Sequence, residues 1–311
     1  MKKITWSEDN CQHSGQLITD LGEYKIISCD LCGFNHAIPI PSVDFLEDFY
    51  HKKYYEQDRK VDYFERQNEQ ISWWNSVFID RCKEFENIIG KKGSILDIGC
   101  GPGFFLKEAE KNGWKVTGIE PSKKAYEYAK NTLNLEVLNS NIEKIDSLGF
   151  EEESFDVIYS HGVLEHMRKP NLFFQSAFKF LKKGGIVFYS VANDYNKFQK
   201  IYVEEKDVVP WWVVPPEHMN YFSIDSAESI SVRNNFKLIS TKTTFPIDIF
   251  LMMGMDYINI PNLGKDCHKL IMDMEKRIKN SKYPNLFEEI NNAFRKIGIG
   301  RQIEITARVD K

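Results

Sequence analysis

The chain has 311 residues, 42% of them apolar and 28% charged, with a formal net charge of −4. That length suits one large domain plus a small one. The negative balance, without a long Lys/Arg stripe, disfavours nucleic acid as the main partner, because neutralising phosphates needs clustered cations.

No apolar run reaches the roughly 18–20 residues that a spanning helix needs. Met1-Lys2-Lys3 is followed by no apolar stretch of the secretory kind. Without an export signal the six cysteines are expected to stay reduced, in a cytoplasmic protein. Aromatics at 14%, 22 of them Phe, predict a Phe-rich core and a pocket with flat, rigid walls.

In chain order, residues 1–41 are short runs broken by Gly and Pro, and they hold Cys11, Cys29 and Cys32. They read as a metal-binding segment. Residues 42–92 read as helical: Trp73, Trp74, Val77, Phe78, Cys82 and Phe85 recur at helical spacing, and Lys91-Lys92-Gly93 ends the run. Residues 93–311 form the main domain. It begins with a strand at Ser94–Ile98, a helix at Phe104–Asn112, a strand at Lys115–Ile119 and a helix at Lys123–Thr132. A weak strand follows at Glu136–Asn139, a strong one at Phe155–Ser160, a helix at about 170–181 and a strand at Ile186–Val191. Such alternation predicts an α/β fold, a Rossmann-like, mostly parallel seven-stranded sheet with helices on both faces.

The stretch 193–225, rich in Pro and aromatics, reads as a lid. Phe236–Phe245 reads as a strand and 246–299 as a helical insertion. Gln302–Val309 alternates apolar and polar residues, which suits an antiparallel strand closing the sheet.

The sharpest motif is Ile95-Leu96-Asp97-Ile98-Gly99-Cys100-Gly101-Pro102-Gly103, between a strand and a helix. Its glycines allow positive φ and a close approach by a ligand, and the helix start offers unpaired N–H groups. Position 104 is Phe, so the dinucleotide pattern G-x-G-x-x-G fails. Glu120, at the end of the next strand, can accept hydrogen bonds from two ribose hydroxyls.

With "GIEPS", "FDVIYSHGVLEH" and "LKKGGIVFYSV" added, residues 94–192 resemble class I S-adenosylmethionine-dependent methyltransferases. The resemblance implies S-adenosylmethionine as cofactor. Gly99, Gly101 and Gly103 would meet its methionine part, with Asp97 supporting the loop. Glu120 would hold the ribose, Asn141 would lie near the adenine amine, and Ser160 and His161 would flank the cofactor.

Methyl transfer from a sulfonium needs an aligned acceptor and, for a hydroxyl, a base. His166 and His218 stand after the fourth and fifth strands, where open α/β sheets bind ligands. The N-terminal cysteines, the Tyr-rich "FYHKKYYEQ", the "LEH" turn and "PPEHMNYFS" resemble a narrower group, sugar methyltransferases with a zinc-binding N-terminal segment. In that group a Glu-His pair, here Glu217 and His218, lies in the acceptor site. Tyrosines near Tyr50, Tyr54 and Tyr55 can reach the substrate there. His218 is expected as the base, oriented by Glu217, with His166 as its competitor. Members that methylate sugar carbon carry a larger C-terminal domain, so the modest insertion here favours an oxygen acceptor.

Cys29-Asp30-Leu31-Cys32 is a Cys-x-x-Cys knuckle of the zinc-binding kind. Its upstream half is Cys11-Gln12-His13-Ser14, which gives Cys11, His13, Cys29 and Cys32 as the expected structural ligand set, with His36 as the alternative fourth ligand. The expected activity is O-methylation of a sugar-linked small polar acceptor. Another small metabolite, a sugar carbon, an RNA or protein acceptor, and a non-catalytic binding role are the competing readings.

Overall fold

The computed structural model describes residues 2–8, 11–49 and 69–311. The tyrosine-rich stretch with Tyr50, Tyr54 and Tyr55 lies outside them. Among the described residues no helix is long and apolar enough to cross a membrane.

The chain opens on four antiparallel strands, β1 (Lys3–Glu8), β2 (Cys11–Asp20), β3 (Lys25–Cys29) and β4 (Asn35–Ile38). Helix α1 (Val43–Asp48) starts at Ser42, whose hydroxyl accepts the Phe45 backbone N–H. Helix α2 (Ile71–Ile89) buries Phe78, Arg81, Cys82 and Phe85, one stripe at helical spacing. It ends at Gly90, in the left-handed region, a little before the predicted Lys91-Lys92-Gly93 stop.

The alternation then follows as read. It runs β5 (Ser94–Ile98), α3 (Phe104–Lys111), β6 (Lys115–Ile119), α4 (Lys123–Glu127), β7 (Val137–Leu138), β8 (Phe155–His161), α5 (Asn171–Phe180) and β9 (Leu181–Ala192). The helix read over Lys123–Thr132 is α4 continued by a π-helical turn, Tyr128–Thr132. After β9 come α6 (Lys197–Lys206), β10 (Asn220–Tyr221), α7 (Ile224–Arg233) and β11 (Phe236–Thr243). The insertion supplies α8 (Ile249–Met252), α9 (Pro261–Lys279) and α10 (Leu286–Lys296) before β12 (Gln302–Val309).

The large sheet has the order β11-β12-β9-β8-β5-β6-β7. Its ladders from β9 to β7 are parallel, and β12 runs antiparallel to both neighbours. The Rossmann-like fold with one antiparallel strand is as expected. That strand lies within the sheet, between β9 and β11, instead of at its edge.

Strand alternation divides the core in two. Leu96, Ile158, Val187 and Tyr189 pack with Phe173, Phe174 and Ile230 on one face. Ile95, Val157, Tyr159 and Phe188 pack with Phe78, Phe85 and Phe105 on the other. On β12 the apolar residues Ile303, Ile305 and Ala307 join the first core. Glu304, on its other face, receives the Arg81 guanidinium from α2. That pairing explains the period-2 pattern of a buried strand.

The short runs of the N-terminal segment form a sheet. It recruits β10 from far along the chain to give β1-β2-β3-β4-β10. The stretch read as a lid is therefore anchored: Trp212 and Val213 are buried with Ile26, Ala37 and Tyr221 on this sheet. The aromatics that suggested a pocket cover pack against the N-terminal strands instead.

Candidate active site

Beyond the C-terminal ends of β5, β6 and β8 lies a cavity of about 710 Å³. Its floor is the loop after β5, where Gly99, Gly101 and Gly103 all have positive φ. Gly99 has no room for a side chain: an added Cβ would lie 2.5 Å from a Val163 methyl. The loop is tied to the neighbouring strand, because the Gly99 and Cys100 N–H groups both donate to the Ile119 carbonyl.

Glu120, at the end of β6, accepts the Gly101 N–H at 2.8 Å through one oxygen and the Ser122 N–H at 2.8 Å through the other. Burial pushes its carboxyl up to about 7, against the pull of those two N–H groups. Asp97 is buried, and burial together with the nearby Glu120 raises its carboxyl well above the usual range. One of its oxygens has no hydrogen-bond partner among the described residues.

Of the residues singled out in the sequence, Asp97, Gly99, Gly101, Glu120, Asn141, His161 and His166 line the cavity. Asn141 also starts a short helical turn, its side chain accepting the Lys144 N–H. Gly103 stands behind the wall against Ala129 and Leu135. Ser160 is not a lining residue. Alternation on β8 turns Tyr159 and His161 toward the cavity and Ser160 away, and the Ser160 hydroxyl donates to the Ile98 carbonyl. His161 sits by Glu304 and Arg81, and burial lowers its pKa.

Two lining residues carried no legible signal. Trp74 looks like any core aromatic of α2, and His268 lies on α9 of the insertion. The insertion is thereby brought to the cavity. Its contact with α2 is held by the Trp73 indole N–H donating to Glu275 at 3.0 Å and by the His268 ring against Trp73.

On the acceptor side, His166 and His218 meet edge to face with ring centroids 4.7 Å apart. His166, Glu217 and His218 each bring one possible ligand atom to within 4.8 Å of the others. His166 Nδ1 donates to the Glu217 carbonyl at 2.7 Å, so in the neutral ring Nε2 carries the lone pair. The Glu217 backbone carbonyl thus orients the His166 ring.

A second group forms at the N-terminal sheet: His13, Cys29, Cys32 and His36, also within 4.8 Å of one another. His13 Nδ1 lies 3.7 Å from Cys29 Sγ and 3.5 Å from Cys32 Sγ. His36 Nδ1 donates to the Ala37 carbonyl, leaving Nε2 buried and without a hydrogen-bond partner among the described residues. Cys32 and the His13 ring beside it hold the Cys29 thiol far below its ordinary range, while Cys29 and burial push Cys32 up. Cys11, expected as a ligand, is outside this group. It is exposed at the start of β2, and His36 takes the fourth position.

The fold and this site define a domain of the S-adenosylmethionine-dependent methyltransferase class. The chain belongs to the methyltransferase-domain family, whose profile matches residues 64–241, more than half of its length. It is similar to the ubiquinone biosynthesis O-methyltransferase of Coxiella burnetii, with 32% identity over 133 residues, 39% of this chain and 57% of that one. With the enzyme of the same name from Hydrogenovibrio crunogenus it shares 34% over 122 residues, 38% of this chain and 50% of that one. The chain thus spans little more than half the length of these curated relatives. Among solved structures, a SAM-dependent methyltransferase from Archaeoglobus fulgidus is 15% identical with a TM-score of 0.48, covering 75% of this chain and 94% of that one.

Proposed function

We propose that the protein transfers a methyl group from S-adenosylmethionine to a hydroxyl of a small polar acceptor, of the sugar-linked kind. The observation that carries this reading is the common cavity of the Gly99–Gly101 loop, Glu120 and His166, with His218 and Glu217 against His166. The donor set fits the cofactor. Buried Asp97 has an oxygen without a partner among the described residues, suited to a cationic or N–H group, and Glu120 offers its remaining lone pairs to hydroxyls. The cofactor, when bound, supplies an activated methyl group on a sulfonium.

The chain's own residues do the rest. Gly99, Gly101 and Asp97 hold the methionine end, Glu120 the ribose and Asn141 the base. The acceptor hydroxyl gives its proton to the His166–His218 pair, whose rings are close enough to share the task, and Trp74 and His268 keep water out. Oxygen as acceptor accords with the names of the curated relatives. The sugar-type acceptor rests on the resemblance of the "PPEHMNYFS" and cysteine segments.

Two measurements test this. Methyl-labelled S-adenosylmethionine is added to the enzyme with a lysate of the source cell. Label is expected in a low-mass, polar product; label in RNA, protein or finished polymer would overturn the acceptor assignment. His218→Asn and His166→Asn are each expected to cut turnover by roughly 10²–10⁴ with cofactor affinity kept; normal turnover in both would remove the base assignment.

The 4.8 Å grouping of His166, Glu217 and His218 favours one second reading, a divalent cation that acidifies the acceptor hydroxyl. Turnover lost to a chelator and restored by Mg²⁺ or Mn²⁺ would select it. We further propose that His13, Cys29, Cys32 and His36 hold a structural zinc ion. The buried, unpartnered Nε2 of His36, its tautomer fixed by a backbone carbonyl, suits a metal ligand.

A further inference from the structure

We infer that Asn220 is the positioning residue of the acceptor-side histidines. This rests on the proposed role of His166 and His218. The two rings come from segments far apart in sequence: His166 from the turn after β8, His218 from the stretch before β10. Something must hold the segments in register, and three cross-links do.

The first is the His166 ring N–H on the Glu217 carbonyl at 2.7 Å. The second is the Met219 N–H on the Glu165 carbonyl at 2.8 Å. The third is the Asn220 amide, whose two hydrogens go to the Leu164 carbonyl at 2.9 Å and the Met167 carbonyl at 2.6 Å. Those carbonyls bracket the Glu165-His166 pair. Asn220 is 3% exposed, so water does not replace it.

The chemistry demands an amide. Two carbonyls need two N–H donors from one short side chain, and asparagine supplies both. Aspartate would bring acceptors to acceptors, and alanine would take the Asn220 donor from the Met167 carbonyl and leave the Leu164 carbonyl only the Met167 N–H at 3.3 Å. The backbone of Asn220 is fixed in turn by the N-terminal sheet. Asn220 pairs with His36 in the β10–β4 ladder, and the Ala37 N–H donates to the Met219 carbonyl at 2.8 Å. The turn is therefore tied to β4 through β10.

The test is a double-mutant cycle of Asn220→Ala and His166→Asn, with S-adenosylhomocysteine binding followed by calorimetry and turnover followed across pH. Asn220→Ala is expected to lower kcat roughly 10- to 100-fold, since misplacement by an ångström can cost that much. Cofactor affinity should stay within about twofold, and the apparent pKa of the basic group in the rate profile should move. In the His166→Asn background the same change should lower kcat little further, because the residue acts through His166.

Equal losses in both backgrounds, or cofactor affinity falling in step with kcat, would make Asn220 a merely structural residue and overturn the inference. Full activity of Asn220→Ala with an impaired His166→Asn would do so too, leaving the base assignment intact. Full activity of His166→Asn would remove the reading beneath both. If Asn220→Ala does not fold, Asn220→Ser, which keeps one donor, takes its place with an intermediate loss expected.

Discussion

One oxygen of Glu120 accepts the Gly101 backbone N–H at 2.8 Å, so the acid that ends β6 also holds the loop that leaves β5. The same carboxylate is proposed to face the ribose, which gives it two tasks at one group. Glu120→Gln turns one acceptor oxygen into a donor while keeping the shape. Its affinity for S-adenosylhomocysteine is expected to fall by about 10- to 100-fold, the scale of a lost hydrogen bond to a charged group. Calorimetry on the folded variant checks it; unchanged affinity would contradict both tasks.

Gly99 and Gly149 separate strain from crowding. Both have φ near 80°, at 78° and 77°. A Cβ on Gly149 meets open space, whereas one on Gly99 lies 2.5 Å from Val163. Gly149→Ala should cost about 1–2 kcal/mol, the left-handed backbone alone. Gly99→Ala should cost roughly 1–3 kcal/mol more through overpacking and should weaken cofactor binding as well. Denaturant melts of both variants measure the difference, and equal losses would deny the crowding.

Stability should depend on pH through Glu165. Burial, with Asp194 nearby, raises its carboxyl to about 8 from an ordinary 4.5. Between those values the folded chain keeps a proton that the unfolded chain has released. Stability from this group therefore falls as pH rises through the window and is level above it. Glu165→Gln cannot ionise, so the variant should gain on the wild type from about pH 5 to pH 8. Melting temperatures at the two ends decide it; a constant difference would mean that the carboxyl is not buried as described.

Removing metal from the N-terminal group should act on one half of the site. The proposed ligands lie on the small sheet and its β3–β4 turn, and β10 carries the link from that sheet toward His218. We expect about one zinc per chain by elemental analysis. Stripping it should lower the melting temperature and turnover, with S-adenosylhomocysteine affinity within about twofold of the start. Loss of cofactor binding on stripping would show that the two sheets are not independent in this sense.

Much of the large sheet was legible because its strands are short, apolar and punctuated. Ser94–Ile98 and Lys115–Ile119 have the bounds that the sequence suggested. The small sheet was not legible, since a strand such as Cys11–Asp20 buries only Gly15 and shows no apolar alternation. Nothing local marks Asn220–Tyr221 as a strand either, for its partner Asn35–His36 lies nearly two hundred residues away.

The same holds in the site. Gly99, Gly101 and Glu120 announce themselves by spacing within one β-loop-α-β unit. The resemblance sets Ser160 with His161 beside the cofactor, whereas alternate residues of β8 face opposite sides and the Ser160 hydroxyl meets the Ile98 carbonyl. His36 joins His13, Cys29 and Cys32 because the β3–β4 hairpin sets it opposite Ile27 and close to Cys29, a relation of pairing register rather than motif.

The place of β12 bears on how the protein is made. It leaves the ribosome after every other strand of its sheet, yet it belongs between β9 and β11. Until it arrives, β9 has an open edge where its last neighbour will sit, with Tyr189 and Val191 beside it. A nascent chain in that condition presents a seam of unpaired backbone inside the future sheet, the kind of edge that invites pairing with another chain. Vectorial synthesis thus leaves the closing of the sheet to a strand that must be seated between two others.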